Sequence, residues 1–109
     1  MSKVRIFQIN HTKIDLEATT FADTMFRANF GKVTQEDIDN VYALVFEGTM
    51  NTCDLEEIFH LCNDKRPVGY YPLGDMYSMS VGDLVEVDGT LYQCDMIGFS
   101  KSDFDVSNL

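Results

Sequence analysis

The chain has 109 residues, 45% of them hydrophobic and including eight Phe and five Tyr, so one domain over residues 1–109 can bury a core without staples. Eighteen acidic residues against eight basic ones give a formal net charge of −10, and residues 34–64 hold eight of the acids and no base. That balance repels phosphate backbones and attracts cations, which argues against direct nucleic-acid binding and for a basic protein partner.

In chain order, "KVRIFQIN" alternates and predicts a strand over 4–9, with Val4, Ile6 and Gln8 on one side and Arg5, Phe7 and Ile9 on the other. Phe7 and Ile9 suggest cover on both sides. Phe21, Met25 and Ala28 recur at helical intervals, so a short helix is expected over 20–28, with Gly31 near its stop. Thr34 then reads as an N-cap with Asp37 three residues on, and Glu36, Asp37 and Asp39 crowd the positive end of the helix dipole. Ile38, Val41 and Tyr42 supply the apolar stripe, and "ALVFEG" continues as a strand ended by Gly48.

"CDLEEIFHLCN" is the clearest helix. Asp54 caps it with Glu57 three residues later, Leu55, Ile58, Phe59 and Cys62 form the buried face, and Glu56, Glu57 and His60 point away. Pro67 disfavours helix at Arg66. The segment "VGYYPLGDMY" reads as a loop whose Tyr70 and Tyr71 suit partner contact. Finally, Asp88-Gly89 between alternating runs predicts a two-residue hairpin turn, preceded by a tight turn at Gly82-Asp83 and closed by Gly98-Phe99.

Catalytic and cofactor signatures are sparse. No glycine-rich loop carries the Lys-Ser/Thr pair that grips phosphate. His60 and Cys62 lie two apart, which on a helix separates their faces. Cys53, Cys62 and Cys94 are odd in number and form no Cys-x-x-Cys, so they read as reduced, mostly buried hydrophobes. With His60 they match no zinc spacing, and Asp83, Asp88 and Asp95 do not space as a calcium loop. No metal, cofactor or catalytic residue is therefore expected. No apolar run reaches the roughly 18 residues of a membrane span, and the N-terminus lacks a signal-peptide apolar core, so a cytoplasmic chain is expected.

The series Asn63, Arg66-Pro67, Ser78, Ser80-Val81-Gly82-Asp83, Tyr92, Asp95 and Gly98-Phe99 resembles the YodL-like domain, and "DNVYALVFEGTM" extends the likeness upstream. "VGYYPLGDMY" is longer than the link associated with that family, and Met79 stands where Leu is more usual. The resemblance implies a small accessory protein of conjugative or other mobile elements of Gram-positive bacteria, and it brings no catalytic residues. The physical reading of the shared positions is structural: Gly82 and Gly98 permit turns, Asp83 can cap local amides, and Arg66 can pair with a carboxylate such as Asp83 or Asp95.

The fold expected is α+β: a small, mainly antiparallel sheet with two or three short helices packed on one face. The function expected is a non-enzymatic, acidic protein-binding module, in its sharpest form an inhibitor that mimics nucleic acid in the groove of a host defence nuclease. Its contact residues would be Glu36, Asp37 and Asp39; Asp54, Glu56 and Glu57; Asp83 and Glu86; and the loop pair Tyr70 and Tyr71. Two other readings stand beside it: a regulatory or structural homo-oligomer joined through an edge strand at Lys3–Ile9, and a small hydrolase with a cleft near Tyr70, Tyr92 and Asp95.

Overall fold

Five antiparallel strands form one sheet in a computed structural model that describes residues 2–9, 33–63, 79–95, 97–107 and 109. The strands are β1 (Ser2–Ile9), β2 (Tyr42–Met50), β3 (Leu84–Val87), β4 (Thr90–Cys94) and β5 (Phe99–Lys101), in the order β2-β1-β3-β4-β5. Among the described residues two helices accompany them, α1 (Gln35–Val41) and α2 (Leu55–Asn63). The helix expected over 20–28, the Pro67 stop and the loop bearing Tyr70 and Tyr71 lie outside the described residues, as does Arg66.

The alternation in β1 sorts its side chains between two cores. Val4 and Ile6 pair directly with Val87 and Val85 of β3, and with Phe46, Met50, Ile58 and Cys62 they make one apolar cluster. Phe7 and Ile9 point the opposite way and pack with Ile38, Val41, Leu84, Leu91 and Val106. The sheet is thus buried on both faces, as the apolar residues on each side of β1 imply. One consequence corrects the expected architecture. Ile58 and Cys62 place α2 against one face, while Ile38 and Val41 place α1 against the other, so the two helices do not share a side.

β1 is also an interior strand of the sheet, hydrogen-bonded to β2 on one flank and β3 on the other. Lys3–Ile9 is therefore no edge strand, and the oligomer reading loses that surface. Between Ile6 and Phe7 the register slips: Ile6 faces Phe46 and Phe7 faces Leu44. Val45 is the extra residue, and the bulge lets Val45 and Phe46 enter the same core in succession.

The caps form where the sequence places them. Thr34 accepts from Asp37 N–H at 3.2 Å, and Asp37 Oδ2 accepts from Thr34 N–H at 3.0 Å, a complete reciprocal box. Asp54 Oδ1 accepts from Glu56 N–H at 2.9 Å at the start of α2. Glu57 does not complete a box there; its carboxylate accepts instead from the Thr52 hydroxyl at 3.1 Å. β2 runs two residues past Gly48, to Met50, because Lys3 and Ser2 continue to pair with it. At the other hairpin, Asp88 (φ 50°) and Gly89 (φ 89°) both take the left-handed conformation that a two-residue turn demands.

Candidate functional site

A cleft of about 380 Å³ opens on the α2 side of the sheet. Phe59 of α2 and Phe99 of β5 line it as an edge-to-face pair, centroids 6.4 Å apart at 74°. Met79 and Cys94, both buried, also line it. Two carboxylates join this apolar lining: Glu56, from the exposed first turn of α2, and Asp95, just after β4. Neither arrives by accident of surface charge. The helical spacing that sends Ile58 and Cys62 inward turns Glu56 away from the core, and Asp95 follows Cys94 out of the strand.

The far rim is a tight turn. Asp95 N–H donates to Gly98 O at 3.0 Å, and Gly98 adopts φ 73°. At its tip Ile97 is 94% exposed, the one exposed large hydrophobic side chain among the described residues.

Charge at this site is negative. Burial first, and then the charges of Asp83, Asp95 and Glu56, together push the Cys94 thiol up to about 11. A thiol so held stays protonated and is a poor nucleophile at neutral pH. His60 is exposed on α2, edge-on to Phe59 (centroids 6.4 Å), and does not line the cleft. Among the described residues no group of three or more His, Cys, Asp or Glu side chains is arranged to hold a metal ion.

Beneath the cleft lies Asp83, which is 2% exposed. Its Oδ2 accepts from Ser80 N–H at 2.9 Å and from the Gln8 side-chain amide at 3.0 Å. Burial pushes its carboxyl up to about 7, against the opposing pull of those two donors. Asp83 caps the local amide of Ser80, as its residue type led one to expect, but it is withdrawn from any partner-facing surface. The physical reason is strand parity: Asp83 shares a face with Val85 and Val87, both inward.

Glu86, its neighbour in the expected contact set, faces the other side of the sheet. Arg5 Nε and Nη2 donate to its two oxygens at 2.7 and 2.9 Å, and this fork holds its carboxyl below the usual range. Asp88 is also engaged, its Oδ1 accepting from Lys3 N–H at 2.9 Å. The 83–88 acids are thus structural rather than a display of carboxylates.

The helical acids divide between the two faces. Asp54, Glu56 and Glu57 are exposed on α2 beside the cleft, whereas Glu36 and Asp39 are exposed, and Asp37 half-buried, on α1 across the sheet. Of the hydrolase residues, Asp95 lines the cleft; Tyr92 is half-buried, packs against the α2-side core and is not part of the lining. Tyr70 and Tyr71 lie outside the described residues. Cys62 and Cys94 are buried as expected, and Cys53 is exposed. The sequence reading missed Phe99, Ile97 and Met79 as a shared rim and floor. The signal available was an apolar residue set just before a glycine turn, "DMIGF", which Ile97 occupies.

Among the described residues no helix is long and apolar enough to cross a membrane. No curated protein and no solved structure matches the chain. The family model of the YodL-like domain matches residues 3–104, spanning every strand after its first residue, both helices, the Ser80–Asp83 turn and the cleft. The chain belongs to the YodL-like domain family.

Proposed function

We propose that this YodL-like domain is a non-catalytic binding module that engages a basic partner protein on its α2 side. The observation that carries the reading is the exposed acidic start of α2, the capping Asp54 with Glu56 and Glu57, from which Glu56 lines a cleft with a largely apolar, aromatic lining. An apolar centre with a charged rim is the usual anatomy of a recognition surface. The protonated thiol of Cys94 and the outward position of His60 favour binding over covalent chemistry at this place.

The mobile-element setting that family likeness implies gives the proposal a sharper form, in which the partner is a host nuclease with a cationic nucleic-acid groove. The α2 acids support that form; the α1 acids, across the sheet, add nothing to it. The test is capture of partners from a bacterial host lysate by the native domain and by the Asp54→Asn, Glu56→Gln, Glu57→Gln triple variant, followed by salt titration. Basic partners that are lost with the triple variant and released by salt are expected. Partners held equally by both proteins in high salt would overturn the reading.

A further inference from the structure

We propose that the cleft between α2 and the 95–98 turn is a receptor for an arginine side chain of the partner, with an apolar neighbour of that arginine resting on Ile97. The inference deepens, and rests on, the reading of the domain as a binder of basic proteins. It goes further by naming one residue type and one pocket.

The size, lining and charge of the cleft converge on that occupant. A volume of about 380 Å³ sits at the small end of the roughly 300–1,000 Å³ typical of ligand pockets, fitting a side chain rather than a folded element. Phe59 and Phe99 offer two ring surfaces set at 74° to one another. A cation over an aromatic face is attracted by the ring quadrupole, and a planar guanidinium also stacks on it. Glu56 and Asp95 supply opposite charge from two sides, and none of the described lining residues is basic.

Arginine suits this combination better than lysine. Its guanidinium is more weakly hydrated, so it enters a partly apolar cleft at lower desolvation cost, and its fork of donors serves two carboxylates. At the floor the Cys94 thiol is held protonated chiefly by burial, with the charges of Asp83, Asp95 and Glu56 acting the same way. Ile97 completes the surface. A 94% exposed isoleucine beside a charged cleft is an anchor for the apolar residue adjoining the arginine.

The experiment is a titration of the isotopically labelled full chain with the peptide Ac-Gly-Ser-Ile-Arg-Ile-Ser-Gly-NH₂, read by amide chemical shifts. Parallel arms use the same peptide with citrulline, which keeps the shape and removes the charge, and free arginine amide. Saturable shifts centred on Glu56, Asp95, Gly98 and Phe99 are expected, with citrulline weakening binding by about tenfold or more. Glu56→Gln and Asp95→Asn, both at the water-facing rim, should each weaken it several-fold, and the unchanged remainder of the spectrum reports that the fold is intact.

Equal binding of the arginine and citrulline peptides, or shifts centred on the α1 face, would overturn the assignment. So would free arginine amide binding as tightly as the peptide, which would make the site one for a small molecule. Failure here is separable from failure of the broader reading. Partner capture that is lost with the triple variant but unaffected by Asp95→Asn leaves the acidic module standing and removes the arginine pocket.

Discussion

The side-chain amide of Gln8 donates to the carboxylate of Asp83 at 3.0 Å, joining β1 to the turn before β3 inside the protein. Both residues are almost wholly buried, at 0% and 2% exposure. A carboxyl in that setting resists ionisation because burial penalises its charged form more than its two donors favour it.

Asp83 therefore makes stability depend on pH in a definite direction. Its folded-state value, about 7, lies above the unfolded value of 3.8, so between the two the folded chain binds more protons. Stability then declines as pH rises through that window, by at most about 1.4 kcal/mol per unit, and levels off above it. In Asp83→Asn this component vanishes, and any constant cost of the extra amide cancels from the slope. Urea denaturation at pH 5 and pH 8 should show a larger loss for the native chain than for the variant; equal losses would refute the assignment.

The Arg5–Glu86 pair predicts a contribution of the opposite sign in pH. Arg5 forks onto Glu86 at 2.7 and 2.9 Å and lies 5.3 Å above the ring of Phe7. With both side chains only partly exposed, Glu86→Gln should cost about 1 kcal/mol near neutrality. Because the hydrogen bond from Arg5 lowers the Glu86 pKa, that stabilisation is present above pH 4.5 and fades as acid protonates the carboxylate. A double-mutant cycle with Arg5→Met at pH 7 and pH 3 measures it.

Thr34→Ala should destabilise α1 by about 1 kcal/mol, since it removes the hydroxyl that accepts from Asp37 N–H. Thr34→Ser, which keeps an acceptor, should recover most of that. Thermal melts of the two variants distinguish loss of the cap from a general effect of changing the side chain.

Gly89→Ala should cost about 1 kcal/mol from backbone strain alone. The residue holds φ 89°, and a methyl group there would meet nothing within 4 Å. Gly89→Asn, which tolerates the left-handed region better, should lie between the two. Chemical denaturation ranks them.

The elements that local chemistry dictates were readable from the amino-acid order. Asp88-Gly89 marks its turn because few residues accept positive φ, and Thr34 with Asp37 marks a helix start because the two side chains satisfy each other's amides. The two-sided burial of β1 followed from Phe7 and Ile9 opposing Val4 and Ile6. What the order did not disclose is relational. Nothing in "VTQEDIDNV" or "DLEEIFHLC" states which side of the sheet each helix takes, and that choice separates the acidic clusters. Asp83 looked like any other surface acid, although counting by twos from Val85 and Val87 would have turned it inward. The cleft draws on positions 56–59, 79–81, 94–95 and 98–99, four stretches that meet only through the strand order.

That order also governs when the domain can assemble during synthesis. β1 precedes β2 to β5 in the chain, yet its partner on one flank, β3, includes Glu86, which pairs with Arg5 across 81 positions. A nascent chain halted short of Leu84 has β1 zipped to β2 along one side, with Val4 and Ile6 still lacking the valines of β3. So distant a contact must be closed before it is rewarded, and although the entropy cost grows only slowly with loop length, such non-local pairing slows folding. Until Leu84–Val87 has been made, the flank of β1 that β3 covers lacks its partner.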